Sequence, residues 1–215
     1  MKNMKVKTRP TLEYERAWKK NGHAVVAGVD EAGRGPLAGP VSAAAVILPD
    51  GFKHDVLNDS KQLTEARREF IYEELIGCDG LHWSVVMLDA EEVDRINILQ
   101  ATHSAMRTAI EKLTVRPDVA LIDGRPVPCF PVPQQALVKG DALSLSIAAA
   151  SVIAKVTRDR FMLEAAREYP QYGFEKHKGY GTSAHLAALE KHGPCPLHRR
   201  SFAPVAQLAF PLESA

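Results

Sequence analysis

Apolar and polar positions along this chain change their period several times, and each change marks an element. Residues 24–30 form an apolar run that ends in acid, the pattern of a buried strand. Residues 31–40 interrupt it with Gly33, Gly35 and Gly39 beside Pro36 and Pro40. Residues 41–48 make a second strand, closed by the turn Pro49-Asp50-Gly51. A loop this short predicts an antiparallel pair. Further strands are expected at 81–88, at 119–123 (again ending in acid) and at 135–139. Between the last two, 126–133 holds four prolines and is expected to be irregular or an edge.

Helical spacing predicts helices over 11–20, 65–76, 89–95, 97–113 and 183–191. Thr64 is placed to cap the second, with Glu65 near its positive end. Residues 143–169 carry the strongest helical pattern. The first half, 146–156, is small and apolar nearly all round and must be buried, the second half, 158–168, is charged, and Pro170 stops the helix. Residues 171–181 read as a Gly/Tyr/Lys loop. Strands alternating with helices predict an α/β domain with a mixed sheet.

The length, 215 residues, suits one core, so one domain over 1–215 is expected. A formal net charge of +1 neither demands nor excludes a nucleic-acid partner. Such a partner would require basic side chains gathered on one face and acids gathered in a site. Cys78, Cys129 and Cys195 are widely spaced and form no CxxC, which argues against a zinc site or a disulfide framework and for reduced thiols. No stretch reaches the roughly 18 apolar residues of a membrane span, and the first 20 residues lack an apolar signal core. A cytoplasmic, membrane-free protein is expected.

The candidate chemistry lies in acids at strand ends. Asp30 and Glu31 close one apolar strand, Asp123 closes another, and Asp141 precedes the buried helix. A buried carboxylate is costly unless it is paired or binds a metal. Four such groups converging at a sheet end would form a hard-cation site for Mg2+ or Mn2+. Two such ions can drive phosphodiester cleavage without a protein nucleophile. The chain indeed has no GxSxG elbow. Each acid also has an ordinary alternative: Asp30-Glu31 as the start of a Gly-rich turn, Asp123 as half of an Asp-Gly turn, Asp141 as a helix cap. Asp159, 18 residues beyond Asp141, lies roughly 27 Å along a straight helix and falls at the surface or behind the site. The loop Gly33-Arg34-Gly35 permits close backbone approach to phosphate or sugar oxygens, or is simply a tight connection. Lys61 is a candidate phosphate contact or an ordinary loop lysine. The loop His177-Lys178-Gly179-Tyr180-Gly181-Thr182 could stack an aromatic while its cations hold phosphates, or be a solvated loop.

The segments Val29-Asp30-Glu31-Ala32-Gly33-Arg34-Gly35-Pro36-Leu37-Ala38-Gly39-Pro40-Val41, Asn58-Asp59-Ser60-Lys61-Gln62-Leu63 and Leu121-Ile122-Asp123-Gly124 resemble ribonuclease HII. So do Lys139-Gly140-Asp141-Ala142, the run from Ser146 to Asp159, the 177–182 loop and His198-Arg199-Arg200-Ser201-Phe202. The resemblance runs from about 24 to 205 in the family's order. It implies an RNase H-like fold, a central mixed five-stranded sheet flanked by helices with a helical C-terminal part from about 171. It implies that Asp30, Glu31, Asp123 and Asp141 are catalytic and bind Mg2+ or Mn2+. It implies that Gly33, Arg34 and Gly35 contact the ribonucleotide and its 2′-OH, and that Tyr180 stacks on the sugar at an RNA–DNA junction. Its substrates would be RNA/DNA hybrids and duplex DNA containing ribonucleotides; a monomer is expected. In the C-terminal segment, Phe202 and Phe210 either tether a replication clamp or pack on the core. Residues 1–23 receive no role from the resemblance.

Overall fold

The computed structural model describes residues 9–209 except 55, 58, 59, 61 and 62. Lys61 and Phe210 lie outside the described residues. Five strands form one sheet: β1 (Val26–Ala32), β2 (Val41–Ile47), β3 (His82–Leu88), β4 (Val119–Asp123) and β5 (Gln134–Leu137). Their order is β3-β2-β1-β4-β5. β2 is antiparallel to both β1 and β3, whereas β4 runs parallel to β1 and to β5. The helices are α1 (Glu13–Lys20), α2 (Glu65–Ile76), α3 (Ala90–Ile96), α4 (Ile98–Glu111), α5 (Leu145–Glu168), α6 (Phe174–His177), α7 (Ser183–His192) and α8 (Ala203–Ala209).

The central strands are apolar at nearly every position because both sheet faces are covered. On one face, Ala27, Val29, Ala120 and Ile122 pack with Ala105, Met106 and Ala109 of α4. On the other, Val26, Val119 and Leu121 pack with Ile147 of α5. Alternation along β1 therefore sends Gly28 and Asp30 toward α5 and Val29 and Glu31 toward α4. At Gly28 the approach is so close that a Cβ would lie 2.1 Å from the Ser146 carbonyl carbon. Only glycine lets the small-residue half of α5 seat against the strand.

The predicted elements differ from the observed ones where side chains compete with the local pattern. β1 runs on through Glu31 to Ala32, two residues past the end of the apolar run. Residue 97 separates α3 from α4: Asn97 takes φ 65° and its side chain accepts from the N–H groups of Leu99 and Gln100. β5 ends at Leu137, because Lys139 adopts φ 59° and leads into a 3-10 turn over Gly140–Ala142. α5 begins at Leu145, with Ser144 as its cap accepting from the Ile147 N–H. Asp141 is thus not the cap. The segment read as loop contains α6. In the charged half of α5, Arg158 and Asp159 are buried, so Asp159 is not at the surface. Asp159 pairs with Lys155 at 2.5 Å and Arg68 at 3.9 Å.

Candidate metal centre and the loop beside it

Three acids meet at the carboxyl ends of β1 and β4. The parallel register Gly28↔Leu121 and Val29↔Ile122 brings Asp30 level with Asp123 on the α5 side of the sheet. The 3-10 turn before α5 adds Asp141. Carboxylate oxygens of Asp30, Asp123 and Asp141 lie within 4.8 Å of one another, enough to hold one ion. Glu31 is not part of that triplet. It leaves β1 on the α4 side, with Oε1 3.2 Å from Arg34 Nη1. Asp159 lies outside the cluster, as the helix length requires.

The local chain is built to hold these groups. The Gly140 N–H donates to Asp123 Oδ1 at 2.6 Å, tying the turn to the end of β4. A Cβ at Gly140 would meet Ile147 Cδ1 at 2.6 Å, so the turn sits close against α5 and a larger residue would displace the Ile147 side chain. Asp30 Oδ1 accepts the Glu31 N–H at 2.7 Å, while Oδ2 is buried and has no hydrogen-bond partner among the described residues. Burial, then the charges of Glu31, Asp123 and more weakly Asp141, push the Asp30 carboxyl well above the usual carboxylate range. A cation among these oxygens would relieve both the burial cost and the repulsion. Beside the acids opens a cavity of about 630 Å3, lined by Glu31, Arg34, His103, Asp123 and Arg125 among others.

The loop 33–40 is fixed by two buried arginines. Arg199 donates to the carbonyls of Gly33, Arg34, Pro36 and Gly39 at 2.6–3.0 Å. Arg158 donates to those of Ala38, Pro40 and Lys178 at 2.9–3.1 Å. Gly33 has φ 90°, and a Cβ there would meet Arg158 Nε at 2.2 Å. The Lys178 carbonyl joins this network, and Leu37 N–H donates to Gly179 at 2.8 Å, so the 177–182 loop is held beside the first. Tyr180 is 45% exposed, its ring edge 3.7 Å from where a Cβ on Gly35 would sit. Lys178, by contrast, turns inward, donating to the Glu175 carbonyl at 2.5 Å. The aromatic of that loop is presented to solvent, and this lysine is not. Phe202 is half-buried against Leu37, Leu189 and Val205, under the Arg199 guanidinium. Arg158 and Arg199 were not legible as loop clamps: nothing in a charged stretch distinguishes a buried arginine from a solvated one.

A family profile described as Ribonuclease HII matches residues 27–205. Ribonuclease HII of Delftia acidovorans is 53% identical over 97% of this chain and 92% of its own length. Among solved structures, ribonuclease H2 of Pyrococcus horikoshii is similar with TM-score 0.71 and 27% identity, covering 86% of this chain and 96% of that one. The ribonuclease HII in a complex with PCNA from Archaeoglobus fulgidus is similar with TM-score 0.69 and 25% identity, over 83% and 95%.

Proposed function

The chain belongs to the ribonuclease HII family, and from that premise we propose that it hydrolyses the phosphodiester on the 5′ side of ribonucleotides. The substrates are RNA/DNA hybrids and single ribonucleotides within duplex DNA, and the products carry 3′-hydroxyl and 5′-phosphate ends. The observation that supports this best is the sharing of one strand. Asp30 and Glu31 are among the last residues of β1, which ends at Ala32, and a glycine loop clamped by Arg158 and Arg199 begins at Gly33. A group recognised by the loop is thereby held at a fixed offset from the acids, as positioning catalysis needs.

The donor set fits a hard cation: clustered carboxylates, one with a buried and unpartnered oxygen. Asp30, Asp123 and Asp141 would hold Mg2+ or Mn2+, with Glu31 alongside. Two such ions, when bound, supply an activated water and stabilise charge on the leaving oxygen. The peptide groups of Gly33, Arg34 and Gly35 read the 2′-OH, the one group that separates a ribonucleotide from its deoxy counterpart. The exposed Tyr180 ring, next to Gly35, stacks on the sugar at the junction. Arg34 and Arg125, at the cavity wall, contact backbone phosphates. A clamp contact of the kind the archaeal relative makes would fall to residues beyond Phe202, whose ring is engaged by the core.

The test is a DNA duplex carrying one ribonucleotide, incubated with and without Mg2+, the cut mapped to the nucleotide. Cleavage 5′ of the ribonucleotide, dependent on the ion and absent when the 2′-OH is removed, is expected. Cleavage of the all-deoxy duplex at the same rate would overturn recognition by the glycine loop.

A further inference from the structure

The segment before β1 lies outside the 27–205 match, yet it grips the chain on both sides of Asp141. Glu15 of α1 is buried, and its Oε1 accepts three hydrogen bonds: from Ser144 Oγ at 2.6 Å, Ser146 Oγ at 2.7 Å and Ser146 N–H at 3.0 Å. Thr11 adds a two-sided backbone contact, donating to the Leu143 carbonyl at 2.9 Å and accepting from Leu145 N–H at 3.0 Å. On the other flank, Trp18 Nε1 donates to Gln135 Oε1 in β5 at 2.6 Å. Between these anchors lies the turn that holds Asp141. The turn is closed by bonds from the N–H groups of Leu143 and Ser144 to the Gly140 carbonyl, at 2.9 and 2.8 Å. Its Gly140 N–H in turn orients Asp123.

We infer that Glu15 is a positioning residue for the metal centre: it fixes the start of α5, and through it the turn that aims Asp141 and Asp123. The inference rests on the metal reading given above. A carboxylate suits the role because one of its oxygens can accept from two hydroxyls and a peptide N–H at once. A hydrophobic residue there would fill the space and leave the Ser146 N–H and one of the two serine hydroxyls without an acceptor, since Ser144 Oγ and Ser146 Oγ can bond only once to each other.

The experiment uses the full chain, with Mn2+ titrated calorimetrically and Mg2+ varied in a cleavage assay. In Glu15→Ala, Mn2+ affinity and the Mg2+ concentration for half-maximal rate should both worsen by about 10–100-fold, the range for groups that support a metal ligand. KM for the hybrid should hold, because the glycine loop and Tyr180 are untouched. Amide exchange at Gly140, Leu143 and Ser144 should quicken. Glu15→Gln, which keeps the accepting oxygen, should restore metal affinity close to wild type. Should Glu15→Ala fail to fold, Glu15→Asp serves, since its retracted carboxylate cannot reach all three donors. A lower melting temperature with unchanged Mn2+ affinity in Ala or Asp would overturn the inference. So would a Gln variant as weak as Ala, which would assign the effect to charge. Absence of Mn2+ binding by the wild-type chain is a different failure: it removes the metal reading, and the role of Glu15 with it.

Discussion

At the scale of single residues, the telling group is Asp30. Its carboxyl is buried among other acids, and its raised pKa means the folded state keeps the proton where the unfolded chain releases it. Folding stability therefore falls as pH rises from the ordinary value near 3.8 through the raised folded value. Asp30→Asn should lower turnover by roughly a thousandfold or more, yet raise melting temperature in a chelator by about 2–4 °C per kcal/mol recovered. The gain should grow as pH rises and vanish near pH 3.8. Melting curves from pH 4 upward decide it, and a gain independent of pH would sink the argument. Tyr180 is the opposite case, a large ring left 45% exposed. Tyr180→Ala should leave stability nearly unchanged. It should slow cleavage of a single embedded ribonucleotide by about tenfold, the worth of one stacking contact, and slow cleavage of a long hybrid less. Equal losses on both substrates would count against stacking at the junction.

Among elements, the contact between β1 and α5 governs the site. Gly28 has no room for a methyl group, because the backbone of Ser146 occupies the position. Gly28→Ala should cost about 1–3 kcal/mol and, by lifting α5, weaken metal binding as well, measured by denaturant unfolding and Mn2+ titration. A neutral result would mean the helix can shift without consequence. A second element-level device holds the Tyr180 loop to α7 and the C-terminal segment. The His185 Nδ1–H donates to the Tyr180 carbonyl at 2.9 Å, His198 Nδ1 accepts from Cys195 N–H at 3.0 Å, and the two Nε2 atoms share one proton over 3.0 Å. That arrangement needs both rings neutral. Burial, then the nearby His185, pushes His198 down to about 4 from an ordinary 6.5, and burial also lowers His185. The stability they contribute is present above pH 6.5 and is lost as pH falls toward 4. Melting temperature should drop across that window, and His198→Asn should flatten the profile. An unchanged slope in the variant would refute the assignment.

Over the whole molecule, 27 basic and 26 acidic residues nearly cancel. The fold separates them: three acids are drawn into one cluster, while Arg34 and Arg125 line the adjoining cavity. Local field, and not net charge, is what a polyanion meets. Binding of an RNA/DNA hybrid should weaken steeply with salt, with a log–log slope of about −0.9 per phosphate contacted on duplex, and show little sequence preference. Salt-independent binding would argue against a backbone-contacting groove.

The hydrophobic pattern alone determined the strands, the long buried helix and the α/β class, because a sheet covered on both faces demands apolar runs and short-period alternation. It also singled out the acids at 30, 31 and 123 as candidates, since ionisable groups at the ends of such runs stand out locally, but it left an ordinary turn reading open for each. What the pattern could not carry is any relation between distant segments. Why Arg158 is buried and what Glu15 holds depend on partners 118 to 131 positions away along the chain. Burial and hydrogen bonding are properties of surroundings, and only folding assembles the surroundings.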